Sequence, residues 1–181
     1  MNYSDQDILA LISKEETKRY GFNVLVRMYQ ERLYWVARRI LISHSDSDDV
    51  LQDSFVKIWK SIDSFNKESQ LYTWLYKIVV NESLMALRKK RRRFLIPIVD
   101  VEKQLEAELE CGDGFSGNEI LLKLHKAILG LPEKQRLVFL LKYYDELKFS
   151  EISQILGVSE GGLKAQYHHA IKKLKNNLNA D

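Results

Sequence analysis

Only two prolines interrupt the 181 residues, and apolar side chains recur every three to four positions along most of the chain. Proline removes a backbone donor and clashes inside a helix, so its scarcity leaves long stretches free to coil. Alternation of period two, the mark of half-buried strands, is rare. The chain is therefore expected to be all-α. It reads as two small helical domains joined by a flexible acidic linker.

Charge by position supports that division. The chain carries 28 Lys plus Arg against 25 Asp plus Glu, a formal +3. Residues 1–93 are net +5, residues 94–116 net −5 and residues 117–181 net +3. The middle segment also holds Pro97, Gly112 and Gly114, with Gly117 at its end, a composition that suits a tether. Domain boundaries are therefore expected at 1–93, 94–116 and 117–181.

The single Cys excludes a disulfide scaffold and a Cys-based zinc site, and it fits a reducing compartment. It is Cys111, in the acidic segment, with no second Cys and no basic neighbour to activate it. No apolar run approaches the roughly 20 residues needed to span a bilayer. The N-terminus, Met-Asn-Tyr-Ser-Asp-Gln-Asp, lacks the pattern of a secretory signal. A cytoplasmic protein is expected.

Periodicity and capping residues predict helices over 5–13, 19–42 and, from a cap at Ser45 or Ser47, to about 61. A polar loop over 63–70 precedes a helix from 69 or 70 to about 93. The last four helices are expected at 118–129, from Pro132 in a first turn to about 144, at 148–156, and from a Ser159 cap to about 178.

The segment from Phe149 to Lys164 has the pattern of a helix-turn-helix. Ile152, Ile155 and Leu156 mark a short helix, Gly157 supplies the turn, Val158 fills the gap between helices, and Ser159 starts the second helix. In that second helix Leu163, Tyr167, Ala170, Ile171 and Leu174 share an inward face. The opposite face holds Gly162, Ala165, His168, His169 and Lys172, flanked by Lys164 and Gln166. Small residues there admit a duplex, and the polar ones reach phosphates or base edges. A plain helical hairpin with a solvated basic face is the alternative. Adjacent helical positions point 100° apart, so His168 and His169 do not make a metal site.

A second signal runs from Leu71 to Arg93. Leu71, Leu75, Ile78 and Met85 are expected to face inward. Lys77, Asn81, Arg88 and Arg92 recur at spacings that share an outward face, and Arg88 to Arg93 are six consecutive cations. Such a run repels itself unless a polyanion neutralises it, and phosphates fit. Tyr72, Trp74 and Tyr76 lie beside this face, where aromatics stack on unpaired bases. Core packing is their ordinary alternative.

Four stretches in order, Phe22 to Arg39, Asp48 to Trp59, Tyr72 to Asn81 with the basic run, and Leu131 to Leu174, resemble a bacterial RNA polymerase sigma factor of the extracytoplasmic-function (ECF) group. The resemblance implies a promoter-specificity subunit that binds core polymerase, recognises −35 and −10 elements and assists promoter melting. It implies no catalytic site of its own, no cofactor, no metal and no small-molecule substrate. Asp48, Asp49, Gln52, Asp53, Phe55 and Trp59 would dock on the clamp helices of the largest polymerase subunit. Carboxylates in a first helical turn also stabilise the helix dipole, so Asp48 and Asp49 have a rival explanation.

By the same resemblance, Phe65, Asn66 and Lys67 lie in the loop that traps a flipped −10 base, with Tyr72, Trp74, Lys77, Asn81, Arg88 and Arg92 alongside. Ser159, Lys164, Ala165, Gln166, His168, His169 and Lys172 would contact the −35 element. The acidic segment would thread through the polymerase. An anti-sigma factor that covers the polymerase-binding surfaces is a further implied partner. The chain departs from the family pattern at Gln166 and His169, where Arg is frequent, at Gly162, where Thr or Ala is common, and at Tyr167, where Leu is common. A stand-alone helix-turn-helix regulator is the rival class, but it has no need of Asp48 to Trp59 or of the basic helix.

Overall fold

The computed structural model describes residues 3–66, 68–94 and 119–179. Among these residues there are eight α-helices and one 3-10 turn, with no strand. The all-α expectation holds. The chain divides into two compact units, Met1–Arg88 and Lys89–Asp181.

The first unit contains α1 (Asp5–Ile12), α2 (Lys18–Leu41), α3 (His44–Ser61), the 3-10 turn Ile62–Ser64 and most of α4 (Leu71–Phe94). A capping box starts α1: the Ser4 hydroxyl accepts from the Asp7 N–H at 3.2 Å, and the Asp7 carboxylate accepts the Ser4 N–H at 2.8 Å. Hydrogen bonds from the Ser4 hydroxyl, then from its backbone N–H, hold the Asp7 carboxyl below its ordinary range. Gly21 lets α1 approach α2 closely, since a Cβ there would meet the Leu11 Cβ at 2.7 Å. Leu25, Leu33, Val36 and Ala37 of α2 are buried together with Ile58 of α3 and Leu75, Val79 and Val80 of α4.

Two expectations change in this unit. The cap of α3 is Ser43, whose hydroxyl accepts from the Asp46 N–H at 3.3 Å, rather than Ser45 or Ser47. The helix has already begun at His44, so Ser47 lies within it, buried, and returns its hydroxyl to the Ser43 carbonyl at 2.6 Å. The inward face of α4 is also rotated from the stripe read in the sequence. Burial centres on Tyr76, Val79, Val80, Ser83 and Leu87, with Leu71 and Leu75 at one edge, while Met85 is half exposed. At 100° per residue Met85 falls on the outward side, beside Asn81 and Arg88. The flanking position expected for Tyr76 is corrected with it: that ring is core, 1% exposed.

The second unit contains α5 (Glu119–Leu129), α6 (Glu133–Tyr143), α7 (Phe149–Leu156) and α8 (Glu160–Asn179). Its core joins Ile128 and Leu131 to Phe139 and Leu140 of α6 and Ala170 and Leu174 of α8. Pro132 stands at the cap of α6 with extended backbone (ψ 140°), one position before the first turn where it was expected. The Arg136 guanidinium is buried and donates to the Leu129 carbonyl at 2.9 Å, tying α6 back to the end of α5.

Gly157 ends α7 at φ 66°, ψ 29°, and its N–H closes the last turn onto the Ser153 carbonyl at 2.8 Å. A Cβ there would meet nothing within 4 Å, so a substitution acts only through the left-handed backbone. Gly157→Ala is expected to destabilise this unit by about 1–2 kcal/mol, read as a lower urea midpoint with an unchanged slope. The turn differs from expectation at Val158, which is 43% exposed and lies over Gly162 instead of filling the gap between α7 and α8. The buried side chains here are Ile152 and Ile155 of α7 and Leu163 of α8.

Candidate functional site

Helix α3 presents one polar face. Asp48, Asp49, Gln52 and Asp53 are exposed, and Val56 joins them at 51% exposure. At 100° per residue, positions 49, 52, 53 and 56 fall within about a third of the helix circumference. Phe55 and Trp59 lie at the edge of this face, each within about 20° of Asp48 around the axis. Both are half-buried against Phe22 of α2, with ring centroids 6.4 Å and 4.9 Å from it. The Lys18 ammonium lies 5.4 Å from the Trp59 ring and 2.6 Å from the Asp63 carboxylate, so this corner also fixes the 3-10 turn.

The start of α3 carries an aromatic cluster that sequence reading passed over. Tyr34 stacks on His44 and bonds its Nδ1 at 2.5 Å, and Trp35, 45% exposed, packs edge-on against Tyr34. The adjacent pair Tyr34-Trp35 on an otherwise amphipathic helix was the available signal.

The outward face of α4 gathers Trp74, Lys77, Ile78, Asn81, Met85 and Arg88, all within about 100° of one another around the axis. Lys77, Asn81 and Arg88 are exposed. Phe65 packs its ring 5.3 Å from Trp74, which places the loop before α4 beside this face. Asn66 is exposed, with its side-chain carbonyl accepting the Glu68 N–H at 3.3 Å. Lys67 and the side chain of Arg92 lie outside the described residues, as does the acidic segment with Cys111. Tyr72 is engaged within the unit: it stacks on Tyr29 at 5.9 Å, and the Arg32 guanidinium lies 4.1 Å from its ring. A cavity of about 670 Å³ is lined by Gln6 and Leu9 of α1, by Ser13 just after it, and by Ile62, Asp63 and Phe65.

Helix α8 turns its two sides as the sequence predicts. Leu163, Ala170 and Leu174 are buried, and Tyr167 stacks on Phe139 at 6.2 Å. Ala165, His168, His169 and Lys172 are exposed on the far side, while Gln166 and Gly162 are half-buried. The Ser159 hydroxyl caps the helix, accepting the Gly162 N–H at 3.4 Å. Lys164 is exposed but not unengaged: Glu160 lies 3.7 Å away and the Phe149 ring 5.9 Å. Lys142 of α6 approaches the same ring at 5.5 Å, a cation that sequence reading also missed. The two imidazoles lie 6.1 Å apart, and no group of three metal-ligating side chains occurs among the described residues.

A helix with an acidic face, a basic helix edged with aromatics and a helix-turn-helix are the parts expected of a two-unit transcription initiation factor. Comparison with known proteins agrees with this class. The family model for Sigma-70 region 2 matches residues 25–93, and that for Sigma-70, region 4 matches residues 121–174. The ECF RNA polymerase sigma-E factor of Salmonella typhimurium is 31% identical over 186 residues, covering 97% of this chain and 94% of the relative. The ECF RNA polymerase sigma factor SigW of Bacillus subtilis is 29% identical over 166 residues, covering 87% of this chain and 89% of the relative.

The fold is shared with solved structures. The sigma factor RpoE of Bartonella quintana, in complex with the anti-sigma factor NepR, matches with a TM-score of 0.66 at 24% identity, covering 88% of this chain and 98% of that one. CnrH, in complex with the cytosolic domain of CnrY, matches with a TM-score of 0.69 at 24% identity, covering 98% of each chain. The chain belongs to the ECF RNA polymerase sigma factors. It is a promoter-specificity subunit for transcription initiation, and its partners are core RNA polymerase and promoter DNA.

Proposed function

We propose that the three faces divide the work of initiation. Asp48, Asp49, Gln52 and Asp53, with exposed Val56 beside them, dock on the clamp helices of the largest polymerase subunit. Carboxylates around an apolar contact suit a basic coiled-coil partner. The outward face of α4 and the loop at Phe65 and Asn66 hold the −10 element. The far side of α8, from Ser159 through Lys164, Ala165, Gln166, His168 and His169 to Lys172, holds the −35 element. On this reading residues 1–93 serve the polymerase and the −10 element, residues 117–181 the −35 element, and residues 94–116 tether them.

The observation that carries the reading is the convergence of Trp74, Lys77, Asn81 and Arg88 on one face of α4, next to Phe65. Cations there hold the phosphate backbone, and an amide and aromatic rings receive an unstacked base. Extruding one base costs a few kcal/mol, which backbone contacts and capture offset. Strand separation then needs no nucleotide hydrolysis, and the chain acts without a catalytic site of its own.

Asn81→Ala tests this directly. The side chain is exposed, so folding is expected to be unaffected within about 0.5 kcal/mol. Promoter opening, read by permanganate reactivity of unpaired thymines, is expected to fall about tenfold, an effect of one lost polar contact. Undiminished reactivity in that variant contradicts the assignment.

Work in the cytoplasm follows from the polymerase partner. No helix among the described residues is long and apolar enough to cross a membrane. Regulation by an anti-sigma factor that covers the α3 face completes the proposal, supported by the solved RpoE of Bartonella quintana in complex with the anti-sigma factor NepR.

A further inference from the structure

His168 and His169 are adjacent, exposed and turned to the far side of α8, between Lys164 and Lys172. Of the two, His169 stands where other members of the family often carry an always-charged Arg. Histidine differs from Arg in one decisive way: its charge changes within the physiological pH range. A neutral imidazole donates one N–H, whereas the cation donates two and adds a Coulomb attraction to phosphate.

The surroundings of the two rings leave that charge to the ligand. On α8 the neighbouring charges are Lys164, Lys172 and Lys173, and the one carboxylate, Glu160, lies 3.7 Å from Lys164. The side of α8 opposite the two rings is buried at Leu163, Ala170 and Leu174, and several titratable groups of the packed elements have partners of their own. Lys142 of α6 donates to the Leu147 carbonyl at 3.0 Å and lies over Phe149. Glu151 of α7 accepts the Lys148 N–H at 2.7 Å. His125 of α5 packs on Tyr144. The rings of His168 and His169 lie 6.1 Å apart, so two cations there repel each other until an anion screens them.

We propose that His168 and His169 make −35 recognition proton-linked: each imidazole takes up a proton from solvent as it meets a DNA phosphate, so binding strengthens as the pH falls. This rests on the assignment of α8 to the −35 element. The sign follows from linkage. Phosphate stabilises the cation, so the complex binds more protons than the free protein, and affinity rises wherever that difference exists. The gain is complete where the free imidazoles are already cationic. It is lost as the pH rises past the range in which the phosphate-bound rings keep their protons.

The experiment uses holoenzyme, full-length protein with core polymerase, and a promoter duplex selected by that holoenzyme from a randomised library. A copy with a scrambled −35 element is the control. Affinity is expected to be about tenfold tighter near pH 6 than near pH 8, an effect that protonation of two sites readily supplies. The slope of log affinity against log salt is expected to steepen by roughly 0.9 for each phosphate newly neutralised. His168→Gln with His169→Gln is expected to abolish both changes. His168→Arg with His169→Arg is expected to bind tightly at both pH values, which separates loss of charge from damage to the helix. Equal pH dependence in wild type and the Gln pair, or none in wild type, overturns the proposal. Affinity indifferent to scrambling the −35 element at every pH overturns instead the assignment of α8 on which it rests.

Discussion

Reversing two charges on α3, Asp49→Arg with Asp53→Arg, is expected to weaken binding to core polymerase about 100-fold or more, since like charges facing each other in an interface cost several kcal/mol. Both carboxylates are exposed, and neither makes a hydrogen bond or ion pair among the described residues. The fold is therefore expected to survive, with stability changed by about 0.5 kcal/mol or less. The helix-dipole explanation of these residues weakens once the helix is seen to start at His44, because Asp46 then holds the first turn and Asp48 and Asp49 lie in the second. Phe55 is a poor substitute for this test: its ring packs 6.4 Å from Phe22, so truncating it disturbs the unit as well as the surface. Titration of labelled core polymerase, alongside circular dichroism of the variant, reads the effect. Unchanged affinity in the double variant removes the acidic face from the interface.

Leu131→Ala is expected to cost about 3 kcal/mol, the usual penalty for emptying a well-packed core site. Leu131 is 0% exposed and belongs to a cluster of six buried residues in the core of the second unit. A unit of this size has only a few kcal/mol to lose, so the variant is expected to be largely unfolded there near 37 °C. Binding to −35 DNA should then disappear, while the α3 face, built entirely from the first unit, still meets the polymerase. Hydrogen exchange reads the two units separately: amides of α6 and α8 should lose protection while those of α2 keep it. Protection retained throughout contradicts the assigned core.

Helix existence and the inward side of α8 were legible in the sequence because both rest on long, regular periodicity. Leu163, Ala170 and Leu174 are buried as the spacing requires. The α4 stripe was misdrawn because that helix is apolar over much of its circumference, so Leu71, Leu75, Ile78 and Met85 formed a plausible line off the true centre at Tyr76 and Ser83. Tertiary packing resolves what a broad apolar face leaves ambiguous. Corrected, the rotation places Met85 beside Asn81 and Arg88, on the face proposed above to meet the −10 element.

Aromatic partners were harder to read. Tyr72 is held by Tyr29 and Arg32, and Trp59 by Phe22 and Lys18, pairings between residues 37 or more positions apart that no local window contains. The exposure of Val158 was hidden for a related reason. The helix-turn-helix pattern fixes which residues form the turn, whereas tertiary packing decides which side chains are buried, here Ile152, Ile155 and Leu163.

Transcription in vitro from a randomised promoter library, by core polymerase with and without this protein, tests the central claim most directly. The account predicts initiation only when the protein is present, from promoters sharing two elements at a fixed spacing, with Asn81→Ala impairing opening and Leu131→Ala abolishing dependence on the upstream element. Initiation no different from that of core polymerase alone would contradict it.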